Sequence, residues 1–204
     1  MLKRRDGIYG HSAIYHPYLL SWLPERFEQA LDVGCGTGTF AHRLAARATT
    51  VHAVDRSREM IAYAAATTPP PDNINWIVGD VLTADLPSGA YDVVTAIASL
   101  HHMPLDRGLA RLRELTRPGG VLAVLGLYRP ATASDHGLDV IAALADPVAQ
   151  AFGRRTPPAI RAPYQPFSTT LADITAGAAR HLPGARIRRH VFYRYSLTWQ
   201  RPYD

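Results

Sequence analysis

Short apolar runs alternate with helix-like segments between Ala30 and Leu127, and this alternation limits the folds open to the chain. Because strands that are separated by helices pair in parallel, the pattern predicts a doubly wound α/β sheet with helices on both faces. Two further β-rich runs, about two residues apart, predict a hairpin at the sheet edge. The seven predicted strands are residues 30–33, 50–54, 73–78, 91–97, 121–127, 186–192 and 195–199.

Helix and turn signals separate these runs. Ser57 is a plausible N-cap for the second helix, and Arg-Pro-Gly-Gly at 117–120 predicts a turn before the fifth strand. The predicted helices are residues 39–48, 58–67, 105–116 and 171–182.

The length of 204 residues, with 47% apolar and 19% charged residues, predicts a single globular domain over 1–204. We interpret residues 1–28 as an N-terminal cap segment. The proline-rich residues 128–170, with a helix-like stretch near 135–151, are interpreted as an insertion on the substrate side. Such an insertion serves either as a substrate lid or as a cover for one end of the sheet.

Composition also bears on location and on metals. No apolar run approaches the roughly 18–20 residues of a membrane helix, and the charged start of the chain is not followed by the apolar region of an export signal. The only cysteine, Cys35, excludes an internal disulfide and a Cys-rich zinc site, and the nine histidines are too scattered to propose a metal site. We therefore expect a soluble cytoplasmic protein with no metal.

The positive charge is concentrated in residues 151–204, which hold nine Arg and two Asp, whereas the rest of the chain is slightly acidic. A basic region indicates nucleic acid or an acidic substrate in some proteins. Here the charges are not clustered, and Lys3 is the only lysine, as in a chain from a genome biased towards Arg. Binding of nucleic acid is therefore not predicted, and an acidic small molecule remains open.

The residues with the clearest chemical meaning lie between the first strand and its helix, in LDVGCGTG at 31–38. Glycine lets the backbone turn sharply and approach a ligand closely, and a helix that follows offers free N–H groups to it. Thr39 stands where a dinucleotide-binding pattern requires glycine. Asp55 ends the next strand and Asp80 the third, where carboxylates can accept hydrogen bonds from ribose hydroxyls and from an adenine amine.

These residues resemble the class I S-adenosylmethionine-dependent methyltransferases, and within them the small quinone-biosynthesis methyltransferases. The resemblance covers residues 28–127 in consistent order and is carried by five segments, and the closing hairpin suits the antiparallel seventh strand of the family. The five segments are DVGCGTG at 32–38, VDRS at 54–57, GDV at 79–81, YDVV at 91–94 with LHHM at 100–103, and LTRPGG at 115–120.

The resemblance implies a Rossmann-like sheet of seven strands, an enzyme, and S-adenosylmethionine as its cofactor. It implies that Asp32 lies near the cofactor's amino group, that Asp55 holds the ribose, and that Asp80 with Val81 holds the adenine. Cys35 lies inside the turn, where it is interpreted as a small packing residue. The residues so assigned to the cofactor are Asp32, Gly34, Cys35, Gly36, Gly38, Asp55, Arg56, Asp80 and Val81.

The sequence signal for catalytic residues is less specific than the signal for cofactor-binding residues. His101 and His102 follow the fourth strand, where a histidine with its ordinary pKa near 6.5 can take a proton from a methyl acceptor. They equally well shape the wall of a pocket. Tyr9 and His11 reach the site only if the N-terminal segment folds over the cofactor.

The expected function is methyl transfer to oxygen, nitrogen or carbon of a small molecule. A nucleic-acid methyltransferase is the alternative, but ASLH stands at 98–101 instead of a base-pocket motif of the Asn/Asp-Pro-Pro-Tyr type. A nicotinamide-dependent oxidoreductase is disfavoured by Thr39 and Asp32. A protein that binds the cofactor without transferring a methyl group stays open, and the sequence names neither the acceptor nor the oligomeric state.

Overall fold

The computed structural model describes residues 10–66, 72–132, 135 and 168–203. Within them a seven-stranded sheet is flanked by helices, as the sequence predicts. The strands are β1 (Phe27–Val33), β2 (Ala48–Asp55), β3 (Ile74–Val78), β4 (Tyr91–Ile97), β5 (Thr116–Leu127), β6 (Arg186–His190) and β7 (Arg194–Gln200). The helices are α1 (His16–Leu20), α2 (Ala41–Ala45), α3 (Arg58–Ala66), α4 (Leu105–Leu115) and α5 (Leu171–His181), with 3₁₀ helices at Gly10–Tyr15 and Leu100–His102.

The strand order is β3-β2-β1-β4-β5-β7-β6. The five strands β1 to β5 pair in parallel, and β7 pairs antiparallel with both β5 and β6. The chain moves outward from β1 through β2 to β3 and then returns to the other side of β1 with β4. In open α/β sheets, ligands bind beyond the carboxyl ends of the strands at such a switch point.

Apolar side chains pack on both faces of the sheet, because neighbouring residues of a strand point to opposite sides. In β5, Leu122 and Val124 join a core cluster with Leu109 of α4 and Ile174 of α5. Their neighbours Ala123 and Leu125 join a second cluster, which contains residues of α1 and α2. Helices on both faces were predicted, and both clusters confirm them. No helix in this part of the chain is long and apolar enough to cross a membrane.

Several predicted boundaries are confirmed. Ser57 caps α3, because its hydroxyl accepts a hydrogen bond from the amide of Met60 at 3.2 Å. Thr170 caps α5 in a reciprocal capping box with Asp173. Most of the predicted helix near 135–151 lies outside the described residues.

Three predicted boundaries are wrong. The predicted helix at 39–48 is only five residues long, and the chain turns into β2 after it. The side-chain amide of Asn73 donates to the carbonyls of Ala45 and Ala48 and so stabilises this turn. The predicted turn at 117–120 belongs to β5, because the backbone of Arg201 pairs with residues 119 and 120. The hairpin turn has three residues, not two, and two of them adopt a positive φ (Phe192 61°, Tyr193 54°).

Gly126 tests how tightly β5 and β7 pack. A Cβ added at Gly126 would overlap the ring of Tyr195, which is only 1% exposed. We expect Gly126→Ala to lower the free energy of unfolding by about 1–3 kcal/mol, the usual cost of overpacking a core. At Gly79 an added Cβ would approach nothing closer than Ala84 at 3.6 Å, so Gly79→Ala is the matched control. Denaturant titration of both variants measures the difference, and equal stability would contradict the packing of Tyr195 over β5.

Candidate cofactor and acceptor site

The glycine-rich loop at the carboxyl end of β1 turns as the sequence predicts. Gly34, Gly36 and Gly38 have φ values of 67°, 52° and 76°, a region that side chains with a Cβ rarely occupy. The amides of Gly34 and Cys35 both donate to the carbonyl of Val54 in β2, at 2.7 and 3.1 Å. The loop is therefore tied to the end of the neighbouring strand.

The three glycines have different surroundings. A Cβ at Gly34 would overlap the Cβ of Ser99, and a Cβ at Gly38 would lie 2.5 Å from the ring of Trp76. At Gly36 an added Cβ would meet nothing within 4 Å. Gly34 and Gly38 are therefore required by the packing of the protein itself, and only Gly36 borders open space.

Asp55 lies next to this open space. One carboxylate oxygen of Asp55 accepts a hydrogen bond from the amide of Gly36 at 2.9 Å, and the other accepts from the amide of Ser57 at 2.8 Å. Each oxygen of an ionised carboxylate has a second lone pair, so further donors can still be accepted. The structure thus brings the end of β2 and the centre of the glycine loop together.

The next acidic residue, Asp80, follows β3. Its Oδ1 accepts from the amide of Leu82 at 3.0 Å, and its Oδ2 lies 3.8 Å from Nε of Arg56. The side chains of Arg56 and Asp80 are 68% and 37% exposed, so this ion pair is open to ligands and water. Val81 is buried in the core, and its carbonyl accepts a hydrogen bond from Arg111 at 3.1 Å.

Asp32 is the buried acid of the site. It is 2% exposed and accepts a hydrogen bond from the hydroxyl of Thr95 at 2.8 Å. Burial raises the pKa of Asp32 to about 7, and the negative charge of Asp55 adds to this. A cation placed beside the two carboxylates would therefore stabilise the ionised form of Asp32.

Cys35 is not suited to nucleophilic attack. Burial, together with the charges of Asp32 and Asp55, raises the pKa of the Cys35 thiol well above its usual value. Since the thiolate is the reactive form, this thiol is inert at neutral pH.

His101 and His102 lie in the 3₁₀ helix that follows β4, and their ring centroids are 4.0 Å apart. Burial lowers the pKa of His101 to about 4, and the positive charges of His102 and Arg194 contribute. His101 is therefore a neutral and weakly basic imidazole at pH 7. The residue that turns the chain between β4 and this helix, Ala98, has a φ of 52°.

Arg194, which the sequence did not single out, lies at the same edge of the sheet. It begins β7 opposite Leu127, the last residue of β5, and so lies at the carboxyl edge of the parallel strands. It is only 1% exposed, and burial lowers its pKa to about 10. The only sequence signal was its position among alternating Arg and aromatic residues, which is also typical of an ordinary half-buried strand.

The N-terminal segment contacts this edge from two sides. The hydroxyl of Tyr15 donates to the carbonyl of Val191 at 3.3 Å, and that of Tyr18 lies 3.4 Å from the hydroxyl of Ser196. The ring of His16 packs against Phe40 at 4.9 Å, next to the glycine loop. Tyr9 and the side chain of His11 lie outside the described residues, as does most of the segment 128–170.

Comparison with known proteins identifies the family. Residues 30–120 match the family model of a methyltransferase domain. An uncharacterized methyltransferase of Mycobacterium tuberculosis is 34% identical over 195 residues, which span 92% of this chain and 94% of that protein. A trans-aconitate 2-methyltransferase of Deinococcus radiodurans is 42% identical over 110 residues, or 52% of this chain and 41% of the relative.

Solved structures show the same fold. An S-adenosylmethionine-dependent methyltransferase of Mesorhizobium loti superposes with a TM-score of 0.65 at 19% identity, covering 96% of this chain and 100% of that one. The resemblance inferred from the sequence is confirmed at the level of the family, and the narrower likeness to quinone-biosynthesis enzymes stays a prediction. The chain belongs to the class I methyltransferases, enzymes that use S-adenosylmethionine as the methyl donor.

Proposed function

We propose that the chain transfers a methyl group to a small-molecule acceptor, with the donor held across the glycine loop. The observation that carries this proposal is the open space over Gly36, which is bordered by the carboxylate of Asp55. A carboxylate with unused lone pairs, beside a gap that a glycine leaves open, suits a ligand with hydroxyl groups.

The acids at this edge of the sheet would suit the groups of the cofactor. Asp55 would accept from ribose hydroxyls with the lone pairs that Gly36 and Ser57 leave unused. Asp80, with Arg56 and the backbone at Val81, would border the adenine. Asp32 and Asp55 would favour the positively charged methionine end, because a nearby cation stabilises both carboxylates. When bound, the cofactor supplies a methyl group that is already activated as an electrophile.

The acceptor would enter between the end of β4 and the N-terminal segment. The protein must align the accepting atom, exclude water and receive a proton when the acceptor carries one. His101 is neutral there and can accept a hydrogen bond or a proton. The relative from Deinococcus radiodurans is named for trans-aconitate, a small molecule, which supports an acceptor of that size.

Two glycine variants separate folding from binding. We expect Gly36→Ala to fold with a cost of about 1 kcal/mol from its positive φ and to lose at least tenfold in affinity for S-adenosylhomocysteine, because the new Cβ enters the ligand space. Gly34→Ala should mainly destabilise the protein, since its Cβ overlaps Ser99. Calorimetric titration and thermal unfolding measure the two effects. Unchanged affinity in Gly36→Ala would contradict the proposed path of the cofactor.

Asp55 tests the ribose assignment. We expect Asp55→Ala to weaken binding of S-adenosylhomocysteine by about 1–3 kcal/mol, the cost of removing a partner from buried hydroxyls. Asp85 is exposed on the loop after β3, so Asp85→Ala removes an acid outside the proposed contacts and serves as the control. If both variants bind S-adenosylhomocysteine with the affinity of the wild type, Asp55 does not hold the cofactor.

The pH profile tests proton transfer at His101. Because the pKa of His101 is about 4, this group stays neutral as the pH falls from 8 to about 5 and is protonated only below that range. We therefore expect kcat/KM of methyl transfer to stay level over this range. A loss of activity within this range that disappears in His102→Ala but not in His101→Ala would assign the proton to His102 instead.

A further inference from the structure

Arg194 is a buried cation in the part of the site that faces the acceptor. Its position opposite the last residue of β5 places it at the carboxyl edge of the sheet. There β4 and β5 separate it from the ends of β1, β2 and β3, where the three acids lie. Its charge is close enough to His101 and to Tyr15 to shift the pKa of each. The guanidinium therefore lies near His101, and it contacts the N-terminal segment at Ser12.

Hydrogen bonds to two of the described residues hold the guanidinium. Nη1 donates to the carbonyl of Phe192 at 3.1 Å, in the hairpin turn where two aromatic residues hold a positive φ. Nη2 donates to the hydroxyl of Ser12 at 3.3 Å, which is long for a hydrogen bond of this kind. The first contact belongs to the hairpin itself, whereas the second comes from a separate segment and is the easier one to replace.

We infer that Arg194 binds a carboxylate of the methyl acceptor through Nη2, in the place that the Ser12 hydroxyl occupies, and so selects a carboxylic acid as the substrate. A charged donor in a dry site binds a carboxylate more strongly than it binds a neutral hydroxyl. The inference rests on the function proposed above and names the substrate class for the same site.

A carboxylate acceptor needs no base to remove a proton, which agrees with the weak basicity of His101. One carboxylate oxygen accepts from Arg194, and the other attacks the methyl carbon while the carbon–sulfur bond breaks and its electron pair stays on sulfur. The products are a neutral methyl ester and a neutral thioether. A carboxylate with an ordinary pKa near 4 is already ionised at pH 7, so no proton has to be removed. For this acceptor, His101 lines the site as an uncharged imidazole and does not take a proton.

Binding measurements in the presence of saturating S-adenosylhomocysteine test the inference without turnover. The probes are malonate, citrate and trans-aconitate, with malonamide as the neutral counterpart and inorganic phosphate as a second anion. We expect at least one of the carboxylates to bind the wild type, and Arg194→Met to weaken that binding at least tenfold. Arg194→Lys, which keeps the charge but not the guanidinium geometry, should lie between the two.

Arg188 provides the matched control, because it is an exposed arginine of the same hairpin. Arg188→Met should bind carboxylates like the wild type, and all three variants should keep their affinity for S-adenosylhomocysteine. A general loss of packing in Arg194→Met would lower cofactor affinity and thermal stability together. In that case the Lys variant decides, since a structural role alone would leave its carboxylate affinity unchanged.

Turnover supplies a second readout. With labelled S-adenosylmethionine and the carboxylate that binds, Arg194→Lys should raise KM more than it lowers kcat. The inference is overturned if no carboxylate binds, if phosphate or malonamide binds equally well, or if the Arg194 variants bind carboxylates like the wild type. Failure of the wild type to bind S-adenosylhomocysteine would instead overturn the proposed function.

Discussion

The site depends on the close approach of two backbone segments at the switch point of the sheet. Gly34 leaves room for the side chain of Ser99, whose hydroxyl donates to the carbonyl of Val33 at 2.7 Å. This contact joins the end of β1 to the end of β4, and the left-handed residue Ala98 makes it possible by turning the chain directly after the strand. The glycine loop and the two histidines are positioned by the same contact.

Charge is divided along the edge that these turns create. Asp32 lies near the end of β1, Asp55 ends β2 and Asp80 follows β3, all on one side of the switch point. Arg194 lies with β5 and β7 on the other side. A donor that carries positive charge suits the first side, and an anionic acceptor suits the second. The strand order alone produces this division, because residues that end neighbouring strands become neighbours at the edge.

The sequence predicted the parts of this arrangement that depend on local signals. Apolar periodicity located the strands, and the spacing of Gly34, Asp55 and Asp80 placed these residues at or directly after strand ends, since the position of each is set by its own segment. The sequence did not reveal that Gly34 serves packing whereas Gly36 borders open space. That difference is set by Ser99, which lies 65 residues further along the chain.

Arg194 was missed for a related physical reason. Its burial results from the N-terminal segment and the hairpin turn lying over it, and neither contact has a signature within the strand that contains it. The turn itself was predicted one residue too short, because aromatic residues at positive φ are unusual and carry no turn signal. Tertiary contacts, and not the local pattern, decide which arginine of this hairpin is buried.

Burial affects the charges of Asp32 and Arg194 in the same way. Burial raises the pKa of Asp32 to about 7 and lowers that of Arg194 to about 10, so burial disfavours both charges and a ligand of opposite sign would stabilise each. Under the proposed assignment, the donor brings a positive charge to Asp32 and the acceptor a negative charge to Arg194. Transfer cancels the sulfonium charge against the carboxylate charge, and the methylated carboxyl group no longer offers an anion to Arg194. The arrangement that holds the acceptor before transfer therefore favours its release afterwards.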